Sequence, residues 1–233
     1  MRLLGIRPVT APDEFTEIVE VVVEESEIEE GYVKIIVTRG SDDHNFTIPA
    51  RSALQPNVLV YGKPIDLNAI EKVQSGVNCI TLDDDRGHHC DILSLNQLNN
   101  MMARAEAQKK NCYDAVFIKD GLLTEASHSN VCIVKAGVIW TPATNEHMIR
   151  GVTRSLVLTR AAPSAGVTSI DEASEPVRFE DMMTAEEVFL TNSQDGIIPV
   201  LSIDGNPIGG GKVGDVTKKI KEHYAHLMED GLP

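Results

Sequence analysis

The chain has 233 residues, 42% of them apolar and 24% charged, proportions of a folded globular protein that exclude wholesale disorder and fibrous repeats. Its 21 Lys and Arg against 35 Asp and Glu give a formal charge of −14, which repels nucleic-acid backbones and anionic membranes. No apolar run approaches the roughly 18 residues of a membrane span and Met1–Gly5 is too short for a signal-peptide core, so a cytoplasmic protein with no nucleic-acid or membrane partner is expected.

In chain order, Thr10–Ser26 opens on Thr-Ala-Pro-Asp and sets Phe15, Ile18, Val19, Val22 and Val23 on one face, predicting an amphipathic helix. The β-branched runs Tyr32–Val37 and Asn57–Tyr61 predict strands. Lys63–Asn68 carries a proline and little periodicity, so a domain boundary is placed there, giving domains 1–67 and 68–233. Next come a strand at Val77–Leu82, a polar stretch Asp83–Cys90 and a helix over Ser94–Lys110 with Leu95, Leu98, Met101, Met102 and Ala105 at core spacing. The runs Ala115–Ile118, Asn130–Val134 and Val138–Trp140, separated by the turn dipeptides Asp120-Gly121 and Ala136-Gly137, predict a meander. A helix at Val152–Ala162, strands at Val188–Thr191 and Ile197–Ile203, a turn at Asp204–Pro207 and a helix from about Gly214 to Glu229 complete a mixed α+β chain.

Few residues form motifs outside one region. There is no Walker loop, dinucleotide fingerprint, HExxH or GxSxG. Gly209–Gly211 and Gly214 precede a helix, where a turn needs the same glycines that a phosphate cradle would. His88-His89-Cys90-Asp91 lacks a spaced partner, since neighbours on a strand point to opposite faces, so no metal site is expected. Asp83-Asp84-Asp85 reads as a solvated loop, and Cys79, Cys90, Cys112 and Cys132 as reduced, buried thiols without ligand or disulfide-framework spacing.

The informative region is Asp120-Gly121-Leu122-Leu123-Thr124-Glu125-Ala126-Ser127-His128-Ser129-Asn130, followed by Thr141-Pro142 and then Gly151-Val152-Thr153-Arg154 at a helix start. This order resembles the class IV pyridoxal-phosphate aminotransferases, most closely D-amino-acid transaminases, with branched-chain aminotransferases and aminodeoxychorismate lyases as relatives. The likeness continues through Ala185–Ser193, Ile198-Pro199-Val200, Gly205 and Gly209, nearly the whole chain. It implies the two-domain α+β fold of type IV with the first domain incomplete, a homodimer, pyridoxal 5′-phosphate as cofactor, and an amino acid and a 2-oxo acid as substrates.

Residue by residue, the resemblance places Glu125 beside the pyridine nitrogen, where a carboxylate keeps the ring protonated and able to accept electrons. It gives the phosphate to Gly151, Val152 and Thr153 at a helix start and to Asn192 and Ser193 in a second loop. Ile149 falls against the ring face, and His44 alone remains of a substrate-carboxylate pair, beside Asp42 and Asp43. Arg39 matches a structural turn.

One departure concerns the chemistry itself. The family's Schiff-base lysine lies in a stretch that here reads Cys90-Asp91-Ile92-Leu93-Ser94-Leu95-Asn96, with Leu93 at the lysine position. An alkyl chain neither anchors an aldehyde nor carries a proton. Lys109 and Lys110 follow some 16 residues later, roughly 24 Å along a helix. The family's first strands and a phosphate-binding arginine also have no counterpart before Met1, which predicts an exposed sheet edge and altered assembly. Three readings follow: a transaminase, a relative that keeps fold and binding without catalysis, or a damaged version of an ordinary enzyme.

Overall fold

Apolar runs bounded by turn residues become strands over most of the chain, and a computed structural model describes residues 4–6, 12–41, 54–170 and 176–230. The chain forms two compact units, Met1–Leu67 and Asn68–Pro233. In the first, helix α1 (Pro12–Ser26) packs on an antiparallel pair, β1 (Gly31–Val37) and β2 (Val58–Pro64), in register from Gly31 opposite Pro64 to Val37 opposite Val58. His44, assigned to substrate by the resemblance, lies outside the described residues, as do Asp42 and Asp43.

The second unit opens with α2 (Leu67–Gln74) and β3 (Val77–Asp83), then α3 (Leu98–Lys109), β4 (Asp114–Lys119), β5 (Leu122–Ala126), β6 (Asn130–Lys135) and β7 (Val138–Trp140). It continues through α4 (Val152–Leu156), a π-helical turn (Val157–Ala161) and α5 (Ala162–Ser164) to β8 (Ser169–Ile170) and α6 (Phe179–Met183). It closes with β9 (Glu187–Asn192), β10 (Gly196–Ile203), β11 (Asn206–Pro207) and α7 (Asp215–Glu229). Pro163 has no N–H for the i→i−4 ladder, and the widened turn before it absorbs the break.

One sheet carries the unit, in the order β5-β4-β3-β10-β9-β6-β7-β8, with β11 paired to β10. The β3–α3–β4 crossover makes β3 and β4 parallel, and β3 also runs parallel to β10. The short link Ser127–Ser129, closed by the Ala126 N–H donating to the Ser129 carbonyl, brings β5 against β6 and curls the sheet. Side chains alternate between two buried faces. Val131, Ile133, Val188 and Leu190 enter one core, while Cys132, Val134 and Phe189 pack with Val157, Leu158, Ala161 and Ile220 on the helical side. Burial on both faces explains why these strands read as continuous apolar runs.

Several expectations need correction. The predicted meander is not one: β5 intervenes, and β3, β10 and β9 separate β4 from β6 in the sheet. The helix expected from Ser94 begins at Leu98, and its large apolar residues do not face the core. Leu95, Leu98, Met101 and Met102 are 63–70% exposed, and Ala105 is exposed as well. The helix instead lays Ala103 and Ala107 against Ile80, Ala115 and Phe117, because small side chains at i and i+4 let the backbone approach the sheet. Lys63 and Pro64, expected in an aperiodic link, end β2, and α2 follows. Cys79 and Cys132 are buried, but Cys90 and Cys112 only half so, and all four are free.

The Gly209–Gly211 turn follows the structural reading. A Cβ on Gly209, whose φ is +53°, would lie 1.9 Å from the Glu186 carbonyl oxygen. Among the described residues no helix is long and apolar enough to cross a membrane.

Candidate active site

The strand ends that the curl brings together carry buried charge. Glu125 stands near the end of β5, and Arg86 on the loop after β3 reaches it, Nη1 donating to Oε1 at 2.5 Å. Both are buried. Arg86 also donates to Asp84 from Nε and Nη2, each at 2.8 Å, and to the His147 carbonyl at 2.9 Å, while its guanidinium lies 4.3 Å from the centre of the Phe117 ring. Thr124 donates its hydroxyl to Asp84 at 2.8 Å. Asp84 is therefore no solvated loop residue, as its acidic neighbours suggested, but one end of a buried Asp–Arg–Glu chain.

Two carboxyls sharing one guanidinium do not titrate alike. Burial raises Asp84, but the hydrogen bonds from Arg86 and Thr124 outweigh it and hold the carboxyl below its usual range. For Glu125 burial wins over Arg86 and the Ile149 N–H, and the carboxyl is pushed up to about 7. Arg86, despite its burial, is held charged by both carboxyls. The cluster is one positive charge short of neutrality once both acids ionise.

Glu125 is also oriented. Its Oε2 accepts the Ile149 N–H at 2.9 Å and an Asn130 Nδ2–H at 3.4 Å, while Asn130 also donates to the Ile149 carbonyl at 2.7 Å. With one bond on Oε1 and two on Oε2, a lone pair on Oε1 remains for a further donor. Gly151, which caps α4, sits against this clamp: an added Cβ would meet Asn130 Oδ1 at 2.0 Å. Gly151→Ala is expected to displace Asn130 and cost about 1–3 kcal/mol, measured by chemical denaturation.

The raised Glu125 carboxyl has a sign that can be checked. The folded chain keeps this proton to higher pH than the unfolded chain, so its contribution favours folding at low pH and is lost as pH rises from about 4.5 to about 7. The decline attributable to this group is roughly 3 kcal/mol. Glu125→Gln is expected to flatten that part of the stability profile, followed by denaturation at fixed pH steps.

The other positions singled out by sequence are held in different ways. Thr153 is buried and Val152 is 66% exposed at the start of α4. Arg154 is buried, its guanidinium donating to Thr141 Oγ1 and the Pro142 carbonyl, so it ties α4 to the end of β7. Asn192 is committed within the β9–β10 turn: Oδ1 accepts the backbone N–H of Gln194 and Asp195, and Nδ2 donates to Tyr113 Oη, Ser129 Oγ and Asp195 Oδ2. Ser193 is exposed at the tip of that turn. Ser127 and Ser129 donate their hydroxyls to the buried Asp114, fixing the β5–β6 link.

Leu93 lies in an irregular stretch between Arg86 and α3 and is 74% exposed. Cys90 anchors that stretch through its N–H to the Glu146 carbonyl, at 2.8 Å. His88 to Cys90 lie outside any strand, with His89 at φ +67°. The residue that sequence reasoning missed is Arg86. Its signal was an arginine directly behind an acidic run at the end of an apolar strand.

Residues 1–203 match the family model described as Amino-transferase class IV. D-alanine aminotransferase of Staphylococcus aureus (strain N315) is 31% identical over 217 residues, 93% of this chain and 75% of that protein. D-alanine aminotransferase of Bacillus licheniformis is 38% identical over 192 residues, 82% of this chain and 65% of that protein. Among solved structures, the Escherichia coli branched-chain amino acid aminotransferase superposes with a TM-score of 0.84 at 22% identity, covering 97% of this chain and 75% of the other.

Proposed function

The chain belongs to the class IV aminotransferase family, and from that premise we propose that it holds pyridoxal 5′-phosphate through Glu125 without a covalent bond and transfers no amino group. The observation that carries this reading is the charge shortfall of the Asp84–Arg86–Glu125 cluster. A protonated pyridine nitrogen supplies both the missing charge and the donor that the remaining lone pair of Glu125 accepts. The donor set thus fits the ring, whereas Leu93 does not fit the aldehyde.

When bound, such a cofactor provides an electron sink for the amino-acid carbanion. Each residue here has a narrower task. Glu125 holds a proton at the ring nitrogen, Arg86 fixes the Glu125 carboxylate, and the Ile149 N–H and Asn130 orient it. Gly151, Val152 and Thr153, with Ser193, are proposed for the phosphate, and Ile149 for the ring face. Leu93 cannot shuttle a proton between the carbons of a substrate, the step on which transfer depends.

The test is an absorbance titration with pyridoxal 5′-phosphate, then borohydride reduction, peptide mapping and an assay of D- and L-amino acids with pyruvate or 2-oxoglutarate. Saturable binding, no reduced lysine adduct within the site and no transfer are expected. A specific lysine adduct with turnover overturns the reading.

A second reading, D-amino-acid transamination anchored by another lysine, draws on Lys119. This residue ends β4, the strand beside β5 that carries Glu125. A borohydride label on Lys119 in the same map would establish it. We also propose a homodimer: the exposed run Leu95, Leu98, Met101 and Met102 is apolar enough for a second copy to cover. Light scattering at micromolar concentration is expected to give twice the chain mass, and Met101→Lys with Met102→Lys to halve it.

A further inference from the structure

Toward the far end of β6 from Asn130, the sheet and α6 enclose a cavity of about 100 Å³ that none of the residues around Glu125 lines. The described residues lining it are Ile133, Lys135 and Trp140 on the sheet, and Pro176, Val177 and Asp181 across from them. Ile133 and Lys135 stand two apart on β6 and so share a face, and Trp140 lies directly opposite Ile133 on β7. Val177, whose carbonyl accepts the Leu123 N–H, and Asp181 in the first turn of α6 form the other wall.

This lining holds unmatched hydrogen-bonding groups. Trp140 Nε1 is buried without an acceptor, a costly state for an indole N–H. Lys135 donates one of its three ammonium hydrogens to Asp181 Oδ1 at 2.5 Å, and Asp181 Oδ2 accepts the Arg178 N–H at 2.9 Å. Two ammonium hydrogens and further carboxylate lone pairs therefore remain on a half-exposed pair. We propose that the cavity is a second ligand site, taking a small aliphatic α-amino acid as its zwitterion. The carboxylate meets Lys135 and the Trp140 N–H, the ammonium meets Asp181, and the side chain rests on Ile133, Pro176 and Val177.

Charge and size select this class. The Lys135–Asp181 pair is neutral as a whole, so a zwitterion keeps the balance, whereas a lone anion is repelled by Asp181 and a lone cation by Lys135. An apolar cavity of about 150 Å³ takes benzene, so about 100 Å³ encloses fewer atoms and leaves the charged groups where Lys135 and Asp181 reach solvent. Glycine and alanine meet that limit, and a branched or aromatic side chain exceeds it.

Trp140 is the only tryptophan of the chain, so its emission reports this cavity. The experiment titrates the full chain with glycine, both enantiomers of alanine and leucine, and with acetate, methylammonium and acetamide, at matched ionic strength. Glycine and at least one alanine are expected to give a saturable shift, with every other compound needing about tenfold more or failing to saturate. Lys135→Met and Asp181→Asn should each raise the half-saturating concentration about tenfold, with far-UV circular dichroism unchanged. Trp140→Phe keeps the ring and removes the donor, and calorimetry should find alanine bound about fivefold more weakly or not at all. Acetate or acetamide matching alanine, or affinity unchanged in the variants that fold, overturns the proposal. So does an emission that no amino acid moves, the result for a cavity that holds only water.

Discussion

If the chain holds its cofactor without a bond, as proposed, Leu93→Lys is expected to give a new visible absorbance band, a borohydride label at position 93 and transfer of amino groups from D-amino acids. The largest functional change follows from this one residue because the lysine would supply two things at once. It is the nucleophile that captures the aldehyde and the base that relocates a proton between substrate carbons, and a positioned base alone is worth about 10² to 10⁴ in rate. The substitution should cost little stability, since Leu93 is 74% exposed and packs no core. Recovered turnover would identify a transaminase disabled at a single position. An adduct without turnover would mean that the remainder of the site has also diverged.

The parts of this architecture that could be read from sequence are those whose cause is local or periodic. β3, β6, β9 and β10 announce themselves as apolar runs because both faces of the sheet are covered, and α7 by a stripe of Val216, Ile220, Tyr224 and Leu227. An ordered motif singles out Glu125 and the helix start at Gly151. Arg86 was missed because its partner Glu125 lies 39 residues away, and only the curl of the sheet makes an acidic loop into a buried ion chain. The orientation of α3 was misjudged for a related reason. Large apolar side chains normally mark the core, but against a closely approached sheet Ala103 and Ala107 fit and Met101 and Met102 do not. Short elements such as β8 and α6 carry too few residues to show a period.

Arg86→Met is expected to destabilise the fold by about 3–5 kcal/mol at pH 8, the cost of leaving buried carboxyls without their cation. The dependence on pH distinguishes this from lost packing. Without the guanidinium, Asp84 and Glu125 both hold their protons to higher pH in the folded state than in the unfolded chain. Folding is then penalised most above about pH 7, where the unfolded carboxyls are fully ionised, and the penalty shrinks as pH falls and both acids protonate in place. Urea denaturation of the native and Arg86→Met chains at pH 5 and pH 8 measures the difference. A loss that does not change between the two would assign the role of Arg86 to its stacking on Phe117. A loss concentrated at pH 8, partly restored by Arg86→Lys and largely absent from an Arg86→Met, Glu125→Gln double variant, would show that the buried guanidinium is there to hold Glu125 ionised. That is the condition on which any grip on a pyridine nitrogen depends.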